Sequence, residues 1–342
     1  MAIKVGIPRA LLYYAYSPLW VTYFKELDAE VMISSKTNKK ILDEGISTTV
    51  DEACIPIKLF HGHVMDLKDG VDVLFIPRIT SIYFQEYICP KFCGLPEMIQ
   101  HSIEGLPPLI TTEINFFKSQ ESVKNTIYEI GSFFTKDKKK MMKAFQRAKE
   151  VYESYRRQLQ KGEIPSLGVP FHMYRANSGG HPLRKKEIMV MGHPYNLYDS
   201  YLNMDLFSIL VSRNSQILTP EMIKRSVTDS FMKDYKTKFY WSFANRLIGA
   251  MLYLIEQGTI DGIIYISTFG CGVDSVVADI IEKTIREKTN IPFLLLTIDE
   301  HRGEAGFYTR VEAFMDMLEW RVKDENYVSP YGQPVHPSKS CF

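Results

Sequence analysis

The stretch Asp261 to Ser275, DGIIYISTFGCGVDS, restricts the fold more than any other part of this chain. Its apolar run Ile263 to Ile266 is unbroken and bounded by glycines, the pattern of a strand buried on both faces, as in the middle of a parallel sheet. Such a strand needs a covering helix, and the amphipathic segment Val276 to Lys288 supplies one. Cys271 then falls in a Gly-Cys-Gly turn at the carboxyl end of the strand, the edge where open doubly wound sheets bind ligands.

The same alternation runs through the rest of the chain. Strands are expected at Ile3 to Ile7, Glu30 to Ser34 and Asp72 to Ile76, in spatial order 2-1-3. A helix is expected from Ser17, with Pro18 at its first position, and another after Cys54, with Pro56 in its first turn, continuing to about Leu67. The segment Tyr83 to Pro96, rich in Pro, Gly and aromatics, reads as a loop. A Lys-rich stretch from Lys136 opens a long helix that reads as a linker. Beyond it come strands Glu187 to Met191 and Gln216 to Leu218, helices over Tyr198 to Arg213 and Phe231 to Gln257, the Cys271 strand, the strand Pro292 to Ile298, and a helix from Arg310 capped by Thr309 and Glu312. The expected architecture is α/β: two doubly wound parallel-sheet domains of flavodoxin or Rossmann type, 1–135 and 166–327, joined by a linker helix, 136–165, and followed by a tail, 328–342.

Charge excludes several partners. With 41 Lys+Arg against 40 Asp+Glu there is no global basic field for nucleic acid, and anion binding has to be local. Two local candidates are Arg9 and Arg78, since the first and third strands end alike in Ile-Pro-Arg at one sheet edge. His193, in the loop GHPYN at another strand end, is a third cleft-lining candidate. The chain shows no signal-peptide layout and no apolar run long enough to span a bilayer, so a cytoplasmic protein is expected. Neither a Gly-x4-Gly-Lys-Ser/Thr loop nor a Gly-x-Gly-x-x-Gly fingerprint is present, so ATP and NAD are not expected as direct ligands.

Five cysteines, an odd number, argue against a disulfide framework. Cys54 at a helix start, Cys89 in the aromatic loop and Cys271 at the matching edge of the second domain would face one inter-domain cleft. Helix N-termini favour thiolate ligation, and thiolates select zinc or iron-sulfur clusters. Only Cys89 and Cys93 have the close spacing usual for structural zinc, and no second pair completes four ligands, so widely spaced single cysteines suit a cubane cluster better. Cys341 stands apart. His61 and His63, on the helix after Cys54, read as core residues or as N–H donors to the cluster.

The runs VDEACIPIK, YICPKFCGLP, DGIIYISTFGCGVDS and TIDEHRGEAGFYTRVEAF resemble the 2-hydroxyacyl-CoA dehydratase and benzoyl-CoA reductase subunits, in the branch associated with acyl-CoA dehydratase activases. The resemblance implies a [4Fe-4S] cluster held by Cys54, Cys89 and Cys271, and an ATP-dependent activase as electron donor. It also implies an acyl-CoA-like ligand and a homodimer or a heterodimer with a related subunit. In a dehydratase or reductase, Glu300, His301 or Glu304 would manage protons beside the cluster. Cys93 as a fourth ligand would instead close the iron site and leave an electron carrier.

Overall fold

A computed structural model describes residues 2–117, 121–165, 173–175, 185–233, 235, 239–301 and 303–325. The first strand, β1 (Lys4–Ile7), is buried over its last three residues and stops at Pro8, which has no N–H to extend a ladder. In α1 (Tyr13–Glu26) the helix begins four residues before the expected Ser17, so Pro18 lies inside it. Proline at 18 leaves the carbonyl of Tyr14 without its helical donor, and the hydroxyl of Tyr155 donates to that oxygen at 3.3 Å.

Next come β2 (Glu30–Ile33), α2 (Lys39–Ser47), α3 (Ile55–Leu67) and β3 (Val73–Phe75). Val5 of β1 lies opposite Val31 on one side and Val73 on the other, both parallel, which is the expected 2-1-3 order. The chain continues through β4 (Arg78–Ser81), α4 (Pro90–Cys93), α5 (Leu95–Ser102), β5 (Leu109–Ile110), β6 (Glu113–Asn115), α6 (Glu121–Gly131) and α7 (Lys138–Gln160). β5 extends the sheet to β2-β1-β3-β5, and β4 pairs with β6 alongside. The segment expected as a loop thus carries two short helices. Pro90 and Pro96 sit in their first turns, where a missing N–H breaks no helical bond. On α7, Met141, Ala144 and Ala148 enter the same core as Val21 and Phe24 of α1, so this helix is a packed layer of the first sheet.

After the antiparallel pair β7 (Glu163–Pro165) and β8 (Met173–Arg175), a second sheet is built from β9 (Lys186–Met191), α8 (Pro194–Tyr198), α9 (Leu206–Ser212), β10 (Ser215–Leu218), α10 (Arg225–Lys233), α11 (Ser242–Gln257), β11 (Gly262–Thr268), α12 (Gly272–Lys288) and β12 (Phe293–Ile298). Its order is β10-β9-β11-β12, all parallel, and all seven residues of β11 are buried. Where a helix was expected over Tyr198 to Arg213, only α9 forms, because α8 ends at Tyr198 and Met204 and Asp205 adopt left-handed backbone (φ 52 for both) just before α9. α10 and α11 replace one long helix.

Both sheets belong to one compact unit, Met1–His301, and Arg302–Phe342 forms another. The second unit contains α13 (Glu304–Glu325). Thr309 is inside this helix with its hydroxyl on the carbonyl of Ala305, so the expected cap at Thr309 and Glu312 is not where the helix starts. The tail from 328, His181 and Cys341 lie outside the described residues. Among the described residues no helix is long and apolar enough to cross a membrane.

Candidate metal centre

Cys54, Cys89 and Cys271 have the same local position. Each is the residue just before the first turn of a helix: Cys54 before α3, Cys89 before α4 and Cys271 before α12. In that position the first backbone N–H groups of the helix have no helical acceptor and point toward the capping residue, which favours a negatively charged sulfur. Pro56 and Pro90 reinforce two of these starts.

The fold brings the three thiols together. Gly270, at φ 76, lets the Cys271 turn lie on the Cys54 segment: a Cβ there would stand 3.4 Å from the carbonyl oxygen of Glu52 and 3.6 Å from the Cα of Cys54. Cys54 and Cys271 are buried, at 8% and 9% exposure. Burial raises the Cys89 thiol pKa, the N–H of Lys91 opposes that rise, and the charge of Cys54 adds to it. Burial pushes Cys271 up to about 12, helped by the carboxylate of Asp274 and by Cys54 and Cys89. Without a bound cation these two thiols are therefore protonated at neutral pH.

The Cys89 segment is tied to the second sheet. Tyr87 N–H donates to the carbonyl of Tyr240 at 2.5 Å, and Ser242 N–H donates back to the carbonyl of Tyr87 at 2.9 Å. One residue earlier, Glu86 accepts from Arg225 at 2.5 Å and from Asn245 at 3.0 Å. α3 and α12 hold the other two cysteines, so each thiol is fixed by a different part of the fold.

A fourth residue occupies the same kind of position. His193 precedes α8, and Gly192, at φ 150, allows β9 to pass close to β11: a Cβ on Gly192 would lie 2.7 Å from the carbonyl oxygen of Ile266. One ligand atom each from His193, Cys271 and Asp274 lie within 4.8 Å of one another. Nε2 of His193 is 3.7 Å from Oδ1 of Asp274, which accepts the Tyr265 hydroxyl at 2.5 Å. The imidazole lies against Tyr195 and Phe243, with ring centroids 5.1 and 4.9 Å away. Tyr195 lies among the thiols: burial raises its hydroxyl pKa well above the usual value, and the charges of Cys271, Cys54, Asp274 and Cys89 raise it further.

Other residues singled out in the sequence lie elsewhere. Cys93 ends α4 with its sulfur accepting from Thr80 at 3.7 Å, beside the Arg78 guanidinium. Arg78 is bound to Glu97 and to the carbonyl of Cys93 at 2.8 Å. The Arg9 guanidinium lies 6.0 Å from the Tyr13 ring centroid, and its charge acts on His63. The two arginines thus have different neighbours.

Glu300 forms an ion pair with Lys58, a buried residue one turn into α3 that also donates to the carbonyl of Asp51 at 3.0 Å. Burial pushes the Glu300 carboxyl up, but the Lys58 hydrogen bond and charge hold it below the usual range overall. His301 is exposed, and Glu304 opens α13 in the second unit. His63 has Ser34 at 2.9 Å on Nδ1 and Thr37 at 3.0 Å on Nε2, so both its nitrogens are engaged in the core.

Sequence reasoning missed Asp274, Tyr195, Tyr265 and Lys58. Asp274 could have been found from its spacing, three residues after Cys271 in the first helical turn. Tyr195 is two residues after His193. Tyr265 and Lys58 gave no local signal, because their partners are set by tertiary packing.

The donor set suits a soft metal centre. Three thiols from three segments converge at helix starts, two of them buried, with an imidazole beside Cys271, and thiolate with imidazole is the chemistry of iron-sulfur or zinc sites. No curated protein matches the chain. Among solved structures, the C-terminal domain of glucosamine-fructose-6-phosphate aminotransferase from Francisella tularensis is similar at 8% identity over 93% of this chain and 82% of that one. The TM-score of 0.22 is too low for that likeness to bear on fold or function. A family model described as "CoA enzyme activase uncharacterised domain" matches residues 4–223, which include Cys54, Cys89 and His193 and stop before Cys271. With well over half its length matched by that model, the chain belongs to the CoA enzyme activase uncharacterised domain family.

Proposed function

We propose that the protein is an iron-sulfur electron-transfer component of a CoA-enzyme system, with a [4Fe-4S] cluster on Cys54, Cys89 and Cys271 and an ATP-dependent activase as its electron donor. The convergence of two buried thiols, Cys54 and Cys271, and the half-buried Cys89, each at a helix start, carries this reading. A bound cluster would supply one-electron chemistry at low potential. The helix N-termini would stabilise its negative charge, and Tyr195 and Phe243 would keep water away.

Two features support a carrier over a dehydratase or reductase. Glu300, one of the proton-managing candidates of the sequence, is engaged by Lys58, and Tyr195, which interacts with the three thiols, packs against Phe92 and Phe243. Acyl-CoA esters are then substrates of a partner enzyme.

The test is iron and sulfide content, with EPR, on protein purified without oxygen. The cluster should give absorption near ~400 nm that is lost in Cys54→Ser, Cys89→Ser and Cys271→Ser. Stoichiometric zinc, or full cluster retention in Cys271→Ser, would overturn the assignment. Tight binding and turnover of a CoA thioester by the protein alone would replace the carrier with the catalyst.

A further inference from the structure

We infer that His193 is the fourth protein ligand of the metal centre, so that its coordination is three thiolates and one imidazole. The inference rests on the three-cysteine reading above and adds a residue to it. His193 is 3% exposed, and its Nδ1 has no hydrogen-bond partner among the described residues. A buried, unpartnered ring nitrogen is costly unless something occupies it, and a metal ion is such an occupant. One ligand atom of this imidazole lies within 4.8 Å of those of Cys271 and Asp274.

The other side of the ring has the support that metal-bound histidines have. Imidazole ligands generally present their second nitrogen to a carboxylate, which fixes the tautomer and the ring plane. Here Nε2 faces Asp274 at 3.7 Å, and Asp274 is fully buried and held by the Tyr265 hydroxyl at 2.5 Å. Tyr195 and Phe243 hold the ring faces. Tyr265, Asp274 and His193 are therefore successive neighbours, and Nδ1 is the ring nitrogen left without a partner among the described residues.

Competing fourth ligands are less well placed. Cys93 faces Thr80 and Arg78. Asp274 has Oδ1 on the Tyr265 hydroxyl and leaves Oδ2 without a partner among the described residues, but a carboxylate oxygen suits a thiolate set less well than an imidazole does. A ligand set closed by His193 leaves no open iron position for substrate oxygen, in keeping with an electron carrier. Because imidazole is neutral where thiolate is anionic, the centre is also easier to reduce than one with four cysteines, as histidine ligation does in other iron-sulfur centres.

The experiment uses full-length protein purified without oxygen and labelled with nitrogen-15 histidine. Pulsed EPR of the reduced wild type should show a strongly coupled nitrogen that disappears in His193→Ala. Redox titration should place His193→Cys at lower potential than wild type, and imidazole added to His193→Ala should restore the nitrogen coupling. A wild-type cluster without a strongly coupled histidine nitrogen overturns the inference and leaves the three-cysteine reading intact. So does an His193→Ala cluster with unchanged spectrum and potential. A wild type without iron overturns both together. The measurement on wild type needs no variant to fold.

Discussion

The two sheets share one strand order, second-first-third-fourth, yet their strand ends carry opposite chemistry. In the first sheet β1 and β3 end in Pro8-Arg9 and Pro77-Arg78, and the arginines turn to local neighbours. In the second sheet β9 and β11 are followed within two residues by glycines with φ of 150 and 76, and then by His193 and Cys271, which lie together in the candidate metal site. The first sheet supplies its thiols from a crossover helix and a side segment, the second directly from a strand end. One topology therefore provides a common edge, while proline or glycine one or two residues past the strand decides whether the backbone can approach a facing segment. Proline stops the ladder, whereas glycine admits Ile266 and Cys54 to within van der Waals distance.

Gly192→Ala is the strongest way to break this contrast. A methyl group 2.7 Å from the Ile266 carbonyl, at a backbone angle that side chains rarely adopt, should cost roughly 3 to 5 kcal/mol from strain and overpacking combined. Urea denaturation measures it. A loss under about 1 kcal/mol would show that β9 could end as β1 does.

Acid should weaken the first sheet selectively. Burial lowers His63 to about 3, with the charge of Arg9 lowering it further against Asp66, and burial lowers His61 to about 4. The unfolded chain takes up these protons below about pH 6.5 and the folded chain does not, so stability is fully present above that pH and falls as pH drops toward the folded values. At pH 5 each histidine should account for about 2 kcal/mol of lost stability. Denaturation at pH 7 and pH 5 tests the sign, and His63→Asn, which cannot titrate, should show a smaller drop than wild type.

The smallest effect concerns how the first sheet accommodates a proline inside a helix. Tyr155→Phe removes the donor to the Tyr14 carbonyl and should cost about 1 kcal/mol. If thermal unfolding is unchanged, water satisfies that carbonyl and α7 contributes packing alone.

Much of this architecture was legible in the sequence. Strand positions, both sheet edges and the helix start at Cys54 follow from apolar runs, Gly and Pro, because those signals act over a few residues, whereas α12 begins at Gly272, four residues before the expected Val276. His193 was read as a cleft residue from its strand-end loop. The helices at Pro90 and Leu95 were hidden by a composition that resembles a loop, since prolines in a first turn look like helix breakers when read singly. Two partnerships were invisible for another reason: Lys58 with Glu300, and Glu86 with Arg225, join residues far apart in sequence, and their meeting depends on how the layers dock.

The convergence of the cysteines also sets an order of assembly. Cys54 and Cys271 are 271 − 54 = 217 residues apart, and the Cys89 segment is anchored by Arg225 of α10 and Ser242 and Asn245 of α11 as well as by Thr80 of β4. On the ribosome, the first two cysteines are synthesised long before the segments that enclose them. A cluster held by these cysteines would therefore be inserted late, once β11 has paired between β9 and β12. Until then the three sulfurs lack the burial that the second sheet gives them, and any metal they take up would meet an open, unfinished site.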